Sequence, residues 1–169
     1  MALQDFWLSV QSWPLSQFIA ESTWAFPTLE TVHVIAIVTV VGSVAIMDLR
    51  LLGLASNKVP VTAVEKDTLR WTWIGFVVAA ITGSLLVMSK APNYMANPYF
   101  LWKLCLILVA GVNMAIFHAV TWKSVGSWNT SSVMPRGAKL AGGISLGLWV
   151  LVVFLARAIG FTLDKFGPS

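Results

Sequence analysis

Charged residues are scarce in this sequence. They make up 11% of its 169 residues, whereas an ordinary soluble domain has about 25%. Hydrophobic residues reach 57%, and the mean hydropathy is +0.80. A chain of this composition has lipid as most of its solvent. The lipid bilayer is therefore its first expected partner, and an ordinary soluble domain is excluded.

Cysteine and clusters of basic residues are also missing. Because Cys105 is the only cysteine, an intramolecular disulfide is impossible. Cys105 stands in an apolar run, where we expect it to be a small buried hydrophobe. The formal net charge of +4 comes from basic residues that are scattered along the chain, and this predicts no nucleic-acid partner.

Long apolar runs are what the sequence has instead. A helix needs about 20 mostly apolar residues to cross a bilayer. Four segments meet this requirement, at about 27–53, 69–90, 98–123 and 137–163. The loops between them are short and carry no second domain. The sequence therefore predicts an all-α fold, a polytopic membrane four-helix bundle in a single domain, 1–169.

Residues 1–25 have a different pattern from the spans. Apolar residues such as Phe6, Trp7 and Val10 alternate with polar ones, and Pro14 separates two short stretches. This pattern predicts an N-terminal amphipathic interfacial segment of two short helices that lie on the membrane surface. A pair of ordinary surface helices packed on the bundle is an equally good interpretation.

Basic residues are distributed unevenly between the two sides of the membrane. Most of them flank the loops after the first and third spans: Arg50, Lys58, Lys66, Arg70, Lys123, Arg136 and Lys139. Cytoplasmic loops carry the excess of Lys and Arg. The distribution therefore predicts a multi-pass protein of the bacterial inner membrane with both termini in the periplasm.

Ionisable residues inside the spans fall into two layers. Such residues are costly in lipid, usually face the bundle interior and mark functional sites. The outer layer contains Glu30, His33, Lys103 and Arg157, and the inner layer contains Asp48, Arg50, Arg70 and His118. Helical periodicity places Glu30, His33 and Asp48 on one face of the first span, and Lys103 and His118 on one face of the third.

The two histidines are the candidate ligands for a haem or a metal. The first and third spans run in the same direction, so His33 and His118 differ in depth by roughly 20 Å, too far for one shared iron. Three alternatives stay open. Each histidine serves a separate site with a second ligand such as Met88 or Met47, equal-depth histidines of two protomers share a site, or both are hydrogen-bonded structural groups.

Glu30 and His33 also form a Glu-x-x-His pair. A di-iron carboxylate centre uses two such pairs and two further glutamates, and this sequence has one pair. A di-iron centre is therefore not expected. Glu30, His33 and His118 nevertheless remain the candidate metal ligands.

The motifs taken together resemble a large group of uncharacterised bacterial four-helix membrane proteins. The matching stretches are Glu30-x-x-His33, the run Asp48 to Gly53, Asn97-Pro98-x-Phe100-x-x-Lys103, Asn113 with Phe117-His118, and Ala156-Arg157. The resemblance covers most of the chain after the amphipathic start. It implies a four-helix membrane fold and carries no activity with it.

A looser similarity links the chain to four-helix b-type cytochromes and copper-resistance membrane proteins. These proteins also place histidines inside the bundle near both faces, and the similarity implies haem b as the cofactor. They typically supply two histidines for each haem, whereas this chain has two in total. This chain therefore departs from that pattern, because two histidines are too few for two haems with two histidine ligands each.

The leading hypothesis is a haem b-binding electron-transfer protein that exchanges electrons with quinone or a redox partner protein. His33 is the expected outer iron ligand, with Lys103 and Arg157 near the propionates. His118 is the expected inner ligand, and Arg50 and Arg70 have the matching role there.

Two other hypotheses explain the same residues. In the first, the polar layers form an ion, proton or metal path in a transport or assembly subunit. In the second, the chain is an accessory subunit of a larger membrane complex, and its buried charges pair across helices. Whichever holds, the small residues Gly143 and Gly147 on one face of the fourth span predict a homo-oligomer.

Overall fold

The computed structural model describes residues 2–166 and contains no strand within that range. Met1 and residues 167–169, which the predicted domain includes, lie outside the described residues. The helices in chain order are α1 (Ala2–Gln11), α2 (Pro14–Glu21), α3 (Ala25–Leu52), α4 (Val61–Ser89), α5 (Ala91–Ala96), α6 (Pro98–Ile116) and α7 (Arg136–Thr162). A π-helical turn (Phe117–Thr121) and a 3-10 segment (Trp122–Ser127) continue α6, and a 3-10 turn (Leu163–Lys165) follows α7.

Four of these helical segments are long and apolar enough to cross a membrane: Ala25–Leu52, Val61–Ser89, Pro98–Ser127 and Arg136–Lys165. The prediction of an all-α, multi-pass membrane fold is confirmed. Helix α4, which contains the second predicted span, begins at Val61, before the apolar run starts. Its first turns carry the charged residues Glu65, Lys66 and Asp67, and hydropathy detects the lipid-facing part of a helix but not its polar extension.

The long helices pack in the order α4, α3, α7, α6. Helix α3 contacts both α4 and α7, and α6 contacts α7. Glycines permit the closest approaches. A Cβ on Gly75 would lie 3.0 Å from the Ala36 carbonyl oxygen, and one on Gly142 would lie 3.1 Å from that of Asp48. Over their described ranges α4 and α6 are not packed against each other, so the bundle is open between them.

The small residues that join helices are not the ones that the sequence pattern indicated. Gly75 and Gly83 of α4 both face α3, and Ala79 between them is buried. By contrast, a Cβ on Gly143 would reach only Leu52, at 3.8 Å, and one on Gly147 would meet nothing within 4 Å. The Gly143/Gly147 face is exposed in the protomer, and the homo-oligomer stays a prediction.

The end of the bundle that carries loops 53–60 and 128–135 is here called the inner end, and it contains a cluster of buried apolar residues. Leu51, Val61, Phe117, Trp128, Met134 and Ala138 are buried together there. Asn129 of the second of these loops caps α4: its Oδ1 accepts a hydrogen bond from Thr62 N at 2.9 Å, and its carbonyl accepts one from Val61 N at 2.9 Å. This packing fixes the start of α4 beside the end of α6.

The opposite end, here called the outer end, is covered by the N-terminal helices. Helix α1 packs on α5, and α2 packs on α4 and α3. Ser16 Oγ donates to the Val10 carbonyl at 2.8 Å and joins the two helices. Large apolar side chains face away from the bundle: Phe6, Leu8, Trp13, Leu15 and Phe18. This arrangement suits a pair of helices at a membrane surface, and their interfacial position stays a prediction.

Candidate functional site

The gap between α4 and α6 contains a cleft of about 200 Å³ near the inner end. We call it the inner cleft. Its sides come from α4 and α6, and α3 and α7 form its floor. Trp73 and Phe76 line it and are also 52% and 40% exposed. The cleft therefore opens sideways, toward the lipid that surrounds a membrane-spanning bundle.

His118 is the polar residue of the cleft whose geometry is most unusual. It lies in the π-helical turn that follows α6, and π turns inside helices are frequent at functional sites. Its Nδ1 is 2.9 Å from the Met114 carbonyl oxygen. A carbonyl can only accept, so Nδ1 carries the proton. The imidazole packs against the rings of Phe117 and Trp122, whose centroids lie 5.3 and 5.5 Å from its own.

The second ring nitrogen of His118 has no hydrogen bond. Nε2 is buried and without a partner among the described residues. Glu65 Oε1 lies 3.7 Å away, which is longer than a hydrogen bond. In the neutral ring this nitrogen is therefore a bare acceptor that faces the cleft.

Asp48 is the second residue with an unsatisfied polar atom in the cleft wall. It is 4% exposed, and its Oδ2 has no partner among the described residues. Ser145 of α7 lies beside it, and the glycine at position 142 lets α7 approach the α3 backbone here. A buried polar atom without a partner costs free energy, so it marks a place where a ligand atom would be stabilising.

Arg50 lies outside the inner cleft. It is fully buried, and its guanidinium binds the two inner loops. Nε donates to the Val59 carbonyl at 3.0 Å, Nη2 donates to the Ser131 carbonyl at 3.3 Å, and Nη1 is 3.5 Å from Met134 Sδ. This environment favours a structural role. Arg70, its expected partner in the inner layer, is exposed on α4.

His33 is packed against α4 toward the outer end. Thr82 Oγ1 donates to the Val78 carbonyl at 2.7 Å and therefore accepts from His33 Nδ1, which is 3.0 Å away. The ring covers Gly83, since a Cβ there would lie 2.8 Å from His33 Cε1. Thr82 and Gly83 thus occupy two sides of the imidazole, an arrangement that favours a structural histidine.

The other residues of the predicted outer layer make contacts of their own. Lys103 Nζ lies 5.2 Å from the centre of the Phe100 ring, and the Arg157 guanidinium lies 4.5 Å from that of Phe161. Glu30 and Arg157 are exposed. Across residues 2–166, no group of three or more His, Cys, Asp or Glu residues is placed to hold a metal ion.

The two histidines contact α4 at opposite ends. Their α4 neighbours, Glu65 and Thr82, are about 25 Å apart along a helix that rises about 1.5 Å per residue. The structure therefore does not bring His33 and His118 together, and each must be considered by itself.

Glu65 is the site residue that the sequence analysis missed. It lies before the predicted second span, 69–90, whereas α4 begins at Val61 and carries it to His118. A signal was present. Glu65, Thr68, Leu69, Thr72 and Phe76 follow the spacing of one helix face, and all of them line the cleft.

Fold and site together define a multi-pass four-helix membrane protein with a lipid-facing, mostly apolar cleft that contains a few polar groups. A family model matches residues 23–162 and is described as a family of unknown function, DUF6644. The chain belongs to this family, in agreement with its resemblance to an uncharacterised group. Comparison with curated proteins gave no significant match, and neither did comparison with solved structures. The similarity to b-type cytochromes stays a prediction.

Proposed function

We propose that the protein is a membrane electron-transfer component that binds a quinone-type carrier, as quinone or quinol, in the inner cleft. The observation that supports this most directly is the bare, buried Nε2 of His118 in a mostly apolar cleft between two helices. Ligand sites in helical bundles lie between helices and combine apolar walls with a few polar groups that orient the ligand.

The size of the cleft supports a ring-sized ligand. A cavity of about 150 Å³ in another protein binds benzene, and the inner cleft has about 200 Å³. It therefore has room for a substituted six-membered ring. The opening between α4 and α6 leaves the apolar tail of such a carrier in the bilayer.

The same residues favour a ring-sized carrier over haem b. Pockets for drug-sized ligands measure about 300–1,000 Å³, and the inner cleft has about 200 Å³. The cleft wall contains the carboxylates of Asp48 and Glu65 and no Lys or Arg, which is unfavourable for the acidic propionates. His118 does share its Nδ1 bond to a carbonyl with metal-binding histidines, so haem is tested directly below.

A proton or ion path is the second candidate function. It is favoured by the two carboxylates of Asp48 and Glu65 in one membrane-embedded cleft, because such groups commonly line proton and ion paths. This candidate predicts that Asp48→Asn and Glu65→Gln change ion or proton flux in proteoliposomes. The carrier proposal predicts no flux in either variant or in the wild type.

Ligand occupancy tests the carrier proposal. Protein purified from native membranes in mild detergent should contain extractable quinone, measured by chromatography, and show no Soret band. His118→Phe should weaken the affinity for the quinol about tenfold, because the loss of one hydrogen bond of about 1.4 kcal/mol has that effect. It should therefore lower the extracted quinone content.

His33→Phe is the matched control, since it makes the same change outside the cleft and should leave occupancy intact. Equal quinone content in both histidine variants would contradict the proposal. So would a quinone-free wild type, and a Soret band lost only in His118→Phe would establish haem instead.

We also infer that the protein lies in a bacterial inner membrane with its inner end in the cytoplasm. Loops 53–60 and 128–135 lie together at that end and are flanked by most of the basic residues, which favours the cytoplasmic side. In a Cys105→Ala background, Ala96→Cys should react with an impermeant thiol reagent in intact cells. Thr130→Cys should react only after lysis, and the reverse result would invert the orientation.

A further inference from the structure

We infer that the inner cleft selects the reduced form of its carrier, an aromatic diol whose hydroxyl groups donate hydrogen bonds, over the quinone, whose carbonyls only accept them. This inference rests on the proposed function, since it concerns the same ligand in the same cleft. It follows from the two buried polar atoms of the cleft wall that lack a partner among the described residues, because both of them are acceptors.

His118 is the first of these acceptors. Its only proton in the neutral ring is donated to the Met114 carbonyl, so Nε2 presents a lone pair to the cleft. Glu65 does not occupy this lone pair, because 3.7 Å is beyond hydrogen-bond distance. A hydroxyl group would donate to Nε2, whereas a quinone carbonyl would place one lone pair against another.

Several donors on the uncharged polar side chains of the wall are engaged elsewhere. Thr68 Oγ1 donates to the Val64 carbonyl at 2.8 Å, and Thr72 Oγ1 donates to the Thr68 carbonyl at 2.9 Å. Back-bonding of this kind is common for Thr within helices. Asn113 Nδ2 donates one of its two protons to the Ala141 carbonyl at 3.0 Å. The oxygen atoms of these three side chains keep accepting capacity.

The carboxylates extend the same pattern. Asp48 Oδ2 is buried without a partner among the described residues. The hydroxyl group of Ser145, which is able to donate, lies beside Asp48. Among the described residues, the cleft wall contains no Lys or Arg. The competing donors are the indole N–H groups of Trp73 and Trp149, the Ser145 hydroxyl and the second amide proton of Asn113. The two buried polar atoms that lack a partner there, His118 Nε2 and Asp48 Oδ2, are both acceptors.

Binding of matched ligands measures this preference. The full chain in nanodiscs of quinone-free phospholipid is titrated with decylubiquinol, decylubiquinone and the dimethyl ether of decylubiquinol, anaerobically and by calorimetry. We expect the quinol to bind about tenfold more tightly than the other two, because a site built to bind hydroxyl groups discriminates against analogues without them. The dimethyl ether removes the donors without any redox chemistry.

Two cleft variants and one control variant assign the preference to named atoms. His118→Phe should remove most of it, while His33→Phe should keep it. Asp48→Asn exchanges an acceptor oxygen for a donor nitrogen, and it should shift the ratio of affinities toward the quinone. Helix content and monodispersity, measured on every variant, identify any that fail to fold.

The outcomes separate the two proposals. Equal binding of quinol and quinone by the wild type would overturn the selectivity and leave the carrier proposal standing, and tighter binding of quinone would do the same. Absence of binding by all three ligands would overturn both. Tighter binding of a decyl ammonium ion than of the quinol would assign the acceptors to a lipophilic cation and likewise overturn both.

Discussion

Arg50→Met will lower the free energy of unfolding by about 3 kcal/mol. The substitution keeps an unbranched apolar side chain and removes the guanidinium that donates to the Val59 and Ser131 carbonyls. A hydrogen bond from a charged group contributes about 1.5–3 kcal/mol, and a buried acceptor left without a donor costs a similar amount. The two inner loops would lose the group that connects them.

Arg70→Met is the control for this result. It removes the same guanidinium from an exposed position on α4, where surface substitutions change stability by about 0.5 kcal/mol or less. SDS titration in mixed micelles, monitored by helix ellipticity, measures both variants. Equal losses of stability would show that the contacts of Arg50 with the loops contribute nothing beyond its charge.

Gly75→Leu is expected to have an effect of similar size by a different mechanism. Even a Cβ at this position would lie 3.0 Å from the Ala36 carbonyl oxygen and from Val40 Cγ2. A backbone atom of a packed helix cannot move aside as a flexible side chain can, so α3 and α4 must separate. Overpacking typically costs about 1–3 kcal/mol. We expect Gly75→Leu to lower the free energy of unfolding by the upper end of that range and Gly75→Ala to lower it by less.

Gly42→Leu provides the matched comparison for this series. Gly42 also lies in the middle of a membrane-spanning helix, but a Cβ there would meet nothing within 4 Å. The same gain in volume should therefore leave stability unchanged or raise it slightly, because Leu is the better helix former. A larger loss in Gly42→Leu than in Gly75→Leu would contradict the α3–α4 packing described here.

The sequence predicts the all-helical membrane fold because the bilayer thickness imposes one length and one composition on every span. It does not predict which faces meet. Small residues recur at helical spacing in both α4 and α7, and periodicity alone cannot tell that Gly75 and Gly83 face α3 while Gly147 faces outward. Which helix faces pack against each other depends on the packing of all four helices together.

Two individual residues show where reasoning from hydropathy ends. Cys105 was expected to be buried because it stands in an apolar run, and this was wrong: it is exposed on the protein surface. An apolar side chain in lipid gains little from burial inside protein. Arg50 was assigned to an anionic cofactor, but its acceptors are carbonyls of two loops distant in the chain, which no local pattern reveals.

The sideways opening of the inner cleft changes what its affinity means. A molecule that enters between α4 and α6 arrives by two-dimensional diffusion within one leaflet and never passes through the aqueous phase. Its occupancy is set by its mole fraction among the lipids, and an acyl chain competes for the same space whenever such a molecule leaves. A dissociation constant expressed per litre of solution would vary with the amount of lipid in the sample. The same constant expressed per lipid molecule would be a property of the protein.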